Sequence, residues 1–275
     1  MGLSFDQKQN YRIEDLLRIM ELLRGEGGCP WDREQTHQSI RNNLIEEAYE
    51  VVEAIDMESP EMLKEELGDL LLQVAFHSRM SEEAGHFRFD DVADGICKKL
   101  ILRHPHIFGE VSVRDSEEVL DNWEEIKKRE KGQKTATDAV KSVPRVFPAL
   151  MRSQKVQKRA AKTGFDYPGI EMALKDLCEE FDELRQAIAA GDKPGSEEEL
   201  GDLLFSVVNV ARLIGIDAEE SLVRSCDKFI SRFEAVEGMA RKRGLDLKLE
   251  SIEAKNALWD EAKALQHNKN KVEGF

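Results

Sequence analysis

Glu46-Glu47-Ala48-Tyr49-Glu50, followed by Glu66-Leu67-Gly68-Asp69-Leu70-Leu71, is the stretch that decides the reading, because it occurs twice. Adding 133 to each number gives Glu179-Glu180-Phe181-Asp182-Glu183 and Glu199-Leu200-Gly201-Asp202-Leu203-Leu204 without a gap. Lys99-x-x-x-Arg103 matches Lys228-x-x-x-Arg232 at an offset of 129, and Trp123-x-x-x-Lys127 matches Trp259-x-x-x-Lys263 at 136. Elements repeated in one order at nearly one offset mark a duplicated domain. We therefore expect domains at 1–131 and 147–275, joined by a linker at 132–146.

Working outward, the period is helical. Apolar residues recur every three or four positions in Ile13–Leu23, Ile40–Met57, Met62–Val74, Val92–Leu102, Met172–Ile188, Leu200–Ile214 and Leu222–Met239, while alternating β-branched runs are almost absent. Pro30, Pro60, Pro105, Pro144, Pro148, Pro168 and Pro194 read as boundaries. Asp32 with Gln35 reads as the N-cap pair of the long helix that follows. The fold class is all-α, in two tandem helical bundles.

Glu47 and Glu50 are three apart, as are Glu66 and Asp69, so each pair shares a helix face. The Glu58-Ser59-Pro60 break makes the two helices an antiparallel hairpin. At 1.5 Å per residue, Glu50 and Glu66 then lie about 8–9 Å from the turn, with Glu47 and Asp69 level one turn higher. The second copy carries a longer-looking turn, Gly191–Gly195, which blurs the same alignment. Neighbouring Leu67, Leu70, Leu71 and Val74 suggest that the quartet faces inward, with Gly68 and Gly201 allowing close helix approach. Each carboxylate pair about 5 Å apart costs on the order of 3 kcal/mol at an effective dielectric near 20. A divalent cation relieves that repulsion, and oxygen-only donors favour Mg²⁺, with Mn²⁺ as the alternative. The bland alternative, a solvated acidic face, does not account for duplication of the whole quartet.

Lys99/Arg103 and Lys228/Arg232 are i,i+4 cation pairs suited to an anion opposite the metal. Trp123 and Trp259 either stack a base or anchor a core.

With Cys29-Pro30-Trp31-Asp32 before the first quartet and Arg103-His104-Pro105-His106-Ile107-Phe108-Gly109 after it, the sequence resembles the MazG family of nucleoside triphosphate pyrophosphohydrolases. Gly164-Phe165-Asp166 carries the resemblance into the second half. It implies a homodimer and Mg²⁺-dependent hydrolysis of (d)NTP to (d)NMP and pyrophosphate. It also implies that Glu180, Glu183, Glu199 and Asp202 hold the metal in the second domain. Lys228, Arg232, Trp259, Lys263 and Lys127 then contact nucleotide. The first-domain quartet Glu47, Glu50, Glu66 and Asp69 is equally complete, with Lys99, Arg103 and Trp123 as its basic and aromatic elements. Water would attack the α-phosphorus, and Glu46/Glu179 or a ligand such as Glu180 or Glu183 would take the proton.

Two other classes compete. A ferritin-like di-iron protein also places glutamates inside a bundle, but it calls for Glu-x-x-His where Asp69 and Asp202 stand. In a non-catalytic helical scaffold the quartets would be accidental. The histidines show no repeated partner, so a His-based triad has little support; His104 reads as a loop-packing residue. Cys29, Cys97, Cys178 and Cys226 are scattered and form neither a disulfide framework nor a zinc site. Of 275 residues, 55 are Asp or Glu and 40 are Lys or Arg, a net charge of −15. That balance argues against nucleic-acid partners. No apolar run reaches membrane-spanning length and the first ten residues lack a signal-peptide core, so the expectation is a cytoplasmic protein.

Overall fold

A computed structural model describes residues 5–130, 132 and 135–273. The described residues hold helices and no strand. The chain divides into two compact units, residues 1–127 and 128–275.

The first unit contains α1 (Ile13–Arg24), α2 (Pro30–Glu34), α3 (Arg41–Asp56), α4 (Pro60–Glu83), α5 (Phe89–Arg103), α6 (Pro105–Phe108) and most of α7 (Ser116–Glu130). Its core is Met20, Ile40, Ala75, Phe76 and Met80, covered by Leu16, Leu17, Leu23 and Leu72. The second unit contains α8 (Ala136–Lys141), α9 (Ala149–Ala161), α10 (Ile170–Ala190), α11 (Lys193–Leu213), α12 (Ala218–Arg243) and α13 (Ile252–Glu273). Its core is Val236, Ala240, Leu258 and Ala262, with Trp259 packed against it.

In each unit the two carboxylate-bearing helices form the dominant antiparallel pair, α3 with α4 and α10 with α11. The two turns agree at the offset of 133. Ser59 caps α4 and its amide bonds Ala54 O at 3.2 Å; Asp192 caps α11 and its amide bonds Ala187 O at 3.1 Å. Glu58 at φ 51° and Gly191 at φ 69° occupy the same left-handed position, where glycine carries no Cβ penalty. The stretch Gly191–Gly195 is therefore not the longer turn expected: Lys193, Pro194 and Gly195 already belong to α11. Proline tolerates the first helical turn because its missing N–H has no intrahelical acceptor there.

Three further expectations change. Asp32 does not cap the long helix; it sits in the first turn of α2, Gln35 ends that helix, and α3 begins only at Arg41. Pro30 starts a separate short helix, held by Arg24 Nη1 donating to the carbonyls of Asp32 and Gln35. Helices α7, α9 and α13 were not foreseen from apolar period. The stretch 132–146 carries α8, onto which Arg159 of α9 donates at Ala139 O, 2.6 Å; Gln133 and Lys134 of that stretch lie outside the described residues.

Candidate active site

In the first unit, carboxylate oxygens of Glu47, Glu66 and Asp69 lie within 4.8 Å of one another. In the second, Glu180, Glu199 and Asp202 do the same. Glu50 and Glu183 are exposed and stand just outside these sets.

The electrostatics reproduce the level pairing expected from helix rise. Partial burial raises the carboxyl pKa of Glu47, and Asp69 is the strongest charge acting on it. Burial likewise raises Glu66, with Glu50 the strongest charge. The second unit repeats the pattern: Glu180 is raised by burial and then Asp202, Glu199 by burial and then Glu183. Four carboxylates per unit thus repel one another, the condition a cation relieves. A raised folded-state pKa gives stability that is complete below the ordinary glutamate value of 4.5 and is lost as pH rises through the raised one. In EDTA, the melting temperature of Glu180→Gln should therefore gain on that of the parent chain as pH climbs from about 4.5. Saturating divalent cation should reverse the order, because it stabilises only a chain that keeps the ligand. A melting-temperature difference independent of pH would contradict the repulsion.

The cluster is not sealed inward. Leu67, Leu71, Leu200 and Leu204 beside it are exposed, while Leu70 and Leu203 are half-buried. Nothing lies within 4 Å of a Cβ placed on Gly68 or Gly201, so neither glycine serves a close helix approach. Glu179 is also not brought to the cluster. It pairs with Lys175 at 2.8 Å on the outer side of α10, as expected for the neighbour of an inward-facing helical residue.

The basic and aromatic elements are placed as follows. Lys228 is exposed on α12, and Arg232 one turn on is half-buried. Arg232 Nε donates to Gln266 Oε1 at 2.8 Å, and its guanidinium lies 6.0 Å from the Trp259 ring centre. Trp259 also touches Phe229, centres 5.1 Å apart, and joins the core. Lys263 pairs with Asp260 at 3.0 Å. In the first unit Lys99 is exposed on α5, Arg103 ends that helix, and Lys127 is half-buried on α7. Trp123 lies 6.3 Å from the His104 ring, whose Nδ1 donates to Leu100 O at 2.7 Å.

Several polar residues went unseen in the sequence. Gln73 donates to Glu47 at 3.4 Å, one turn from Asp69; the i+4 spacing was the available signal. His77 stacks on His37 with Nδ1 atoms 2.8 Å apart and planes at 6°, and burial with that neighbour lowers its pKa. In the second unit Tyr167 donates to Asp176 at 2.7 Å, one turn before Glu180. Burial and that bond push the Tyr167 pKa up to about 12. Arg212 binds Asp166 through both Nη1 and Nη2, and donates to Asn209 at 3.0 and 2.7 Å. The Gly164-Phe165-Asp166-Tyr167 stretch is thereby tied to both carboxylate helices.

Comparison with known proteins agrees with this geometry. The model of the MazG nucleotide pyrophosphohydrolase domain matches twice, at residues 35–108 and 169–237. The nucleoside triphosphate pyrophosphohydrolase of Escherichia coli K12 is 44% identical over 257 residues, 92% of this chain and 97% of that protein. The nucleoside triphosphate pyrophosphohydrolase/pyrophosphatase MazG of Thermotoga maritima is 43% identical over 251 residues, 91% and 95% respectively. YabN of Bacillus subtilis is 45% identical over 246 residues, covering 89% of this chain and 50% of that longer protein. With both carboxylate pairs inside the matched segments, the chain belongs to the MazG nucleotide pyrophosphohydrolase family, whose domain it carries in two copies.

Proposed function

We infer that the chain is a Mg²⁺-dependent nucleoside triphosphate pyrophosphohydrolase acting on several (d)NTPs in the cytoplasm. The observation that carries this is the duplicated carboxylate cluster inside both matched MazG segments. The donor set fits a hard cation, since every group is a carboxylate oxygen and each cluster is electrostatically unfavourable without one. Glu180, Glu183, Glu199 and Asp202 would hold Mg²⁺ in the second unit, and Glu47, Glu50, Glu66 and Asp69 in the first; Mn²⁺ suits the same donors. When bound, the cation offsets triphosphate charge and acidifies the attacking water.

The chain's own residues do the rest. Glu180 or Glu183 accepts the proton released by the attacking water. Arg232, oriented by Gln266 and the Trp259 ring, joins Lys228 and Lys263 in neutralising the departing pyrophosphate. Lys127 is a further nucleotide contact. Lys99, Arg103 and Trp123 are the corresponding elements of the first unit.

We assign most turnover to the second unit. With the two turns equivalent, hairpin geometry favours neither copy. Beyond the cluster, however, Asn209 stands where the first unit has Phe76, a core residue. The functional form is a homodimer. In the single chain Tyr49, Val52, Leu67 and Leu71 of the first unit, and Leu200, Leu204 and Val207 of the second, are exposed beside the carboxylates. Apolar surface of this extent marks an association face. Light scattering should give twice the mass of one chain, and a monomer would overturn the assignment.

Hydrolysis in H₂¹⁸O tests the reaction. Attack at the α-phosphorus puts the label in the nucleoside monophosphate and none in pyrophosphate. Label in pyrophosphate, or ADP as the first product from ATP, would sink the assigned bond.

A further inference from the structure

Two buried side-chain atoms on α4 of the first unit have no hydrogen-bond partner among the described residues: Gln73 Oε1 and His77 Nε2. Gln73 is 7% exposed and stands four residues after Asp69 and four before His77. Side chains four apart on a helix share a face. A single group between the two orphan atoms would therefore serve both, the place a buried water takes in folded proteins.

At the far end of this row His77 meets His37 of the loop between α2 and α3, with the Nδ1 atoms 2.8 Å apart. Two nitrogens on one zinc ion stand about 3.3 Å apart at bonds of about 2.0–2.1 Å, so the pair shares a proton and not a metal. His37 Nε2 in turn lies 3.4 Å from the hydroxyl of Ser81, a residue 2% exposed.

The proton positions follow from the one fixed end. Ionised Glu47 only accepts, so Gln73 donates to it through Nε2 and keeps Oε1 as an acceptor. Whatever meets Oε1 must bring a proton, which puts one on His77 Nε2. Burial and the neighbouring His37 lower the His77 pKa, so this ring is uncharged at neutral pH and its Nδ1 carries the lone pair. His37 Nδ1 then donates, its Nε2 accepts, and the Ser81 hydroxyl supplies the last proton. Every donor points toward Glu47, and hydrogen bonds aligned in one sense strengthen one another.

We propose that Gln73 is a positioning residue for the first-unit cation site, holding Glu47 through a buried row of hydrogen bonds anchored at His37 and Ser81. The proposal rests on the reading of Glu47, Glu50, Glu66 and Asp69 as cation ligands. Groups that bond a metal-holding carboxylate orient it, and their loss costs about 10–100-fold in metal affinity. At the offset of 133 the second unit has Ser206 and Val210 in place of Gln73 and His77, and a valine cannot carry the row onward. The two clusters share their ligand types and turn, so the row sets the first-unit affinity apart.

Mn²⁺ binding followed by electron paramagnetic resonance isolates this site in a chain that also carries Glu183→Ala and Asp202→Ala. In that background Gln73→Leu should weaken Mn²⁺ binding about tenfold. His37→Leu, a change at an exposed residue remote from the ligands along the row, should weaken it in the same sense. His37→Asn, whose amide N–H stands in for Nδ1–H, should restore it. Unchanged affinity in Gln73→Leu, or equal affinity in the two His37 variants, would overturn the proposal. Should Mn²⁺ not bind the parent chain, the cation reading fails, and histidine ¹⁵N spectra of the metal-free parent chain at neutral pH still decide the row. Protons on His77 Nε2 and His37 Nδ1 support it; any other pair of tautomers sinks it.

Discussion

Replacing Glu183 and Asp202 together by Ala should lower pyrophosphate release by at least about 100-fold, the scale set by loss of groups that hold a catalytic metal. Glu50→Ala with Asp69→Ala should leave turnover near that of the parent chain. The two changes remove the same pair of positions from two clusters of the same charge and turn geometry. Any difference therefore reports what surrounds each cluster. In the second unit a cavity lies beyond it, with Asn209 and Arg212 on its wall; in the first, Phe76 belongs to closed core. Helical circular dichroism confirms that each variant folds. Collapse of activity in the first-unit pair, with the second-unit pair near normal, would reverse the assignment.

The cluster was legible in the sequence because it depends on local arithmetic: i,i+3 spacing, helix rise and one turn between two helices. Glu47 opposite Asp69, and Glu50 opposite Glu66, follow from those alone, and the charge interactions in the structure pair them the same way. What failed depended on burial or on contacts far apart in sequence. The Leu67 and Leu71 stripe reads as inward by period, yet both side chains are exposed. Asp32 satisfies a capping pattern, but Pro30 two residues earlier already starts a helix, and Arg24 holds its end. Asn209 and Arg212 are an i,i+3 pair on α11, but no spacing rule links them to Tyr167 in the loop before α10 or to Gln157 on α9. Helix α9 escaped because polar Ser153, Gln154 and Gln157 stand on its covered face.

Truncating Phe76 to Ala should separate stability from turnover. The ring is 5% exposed, packs with Met20, Ile40, Ala75 and Met80, and carries the Arg24 guanidinium 5.3 Å from its centre. Removing it leaves a cavity in the first-unit core, a change that costs about 3–5 kcal/mol. Arg24 also ties α1 to Glu83 and to the end of α2, so hydrogen exchange should rise through all three elements. A single melting temperature would not report this, because the chain has two units and need not unfold in one step. At 25 °C, where the weakened unit is still folded, pyrophosphate release should stay near the parent value, since Glu180, Glu199 and Asp202 belong to the other unit. Leu258→Ala, at a position 2% exposed in the second core beside Trp259, should cost about 2–5 kcal/mol and depress turnover as well, because it loosens the ring beneath Arg232. If Phe76→Ala abolished turnover while the second unit kept its exchange protection, the reacting cluster would be the one on α3 and α4.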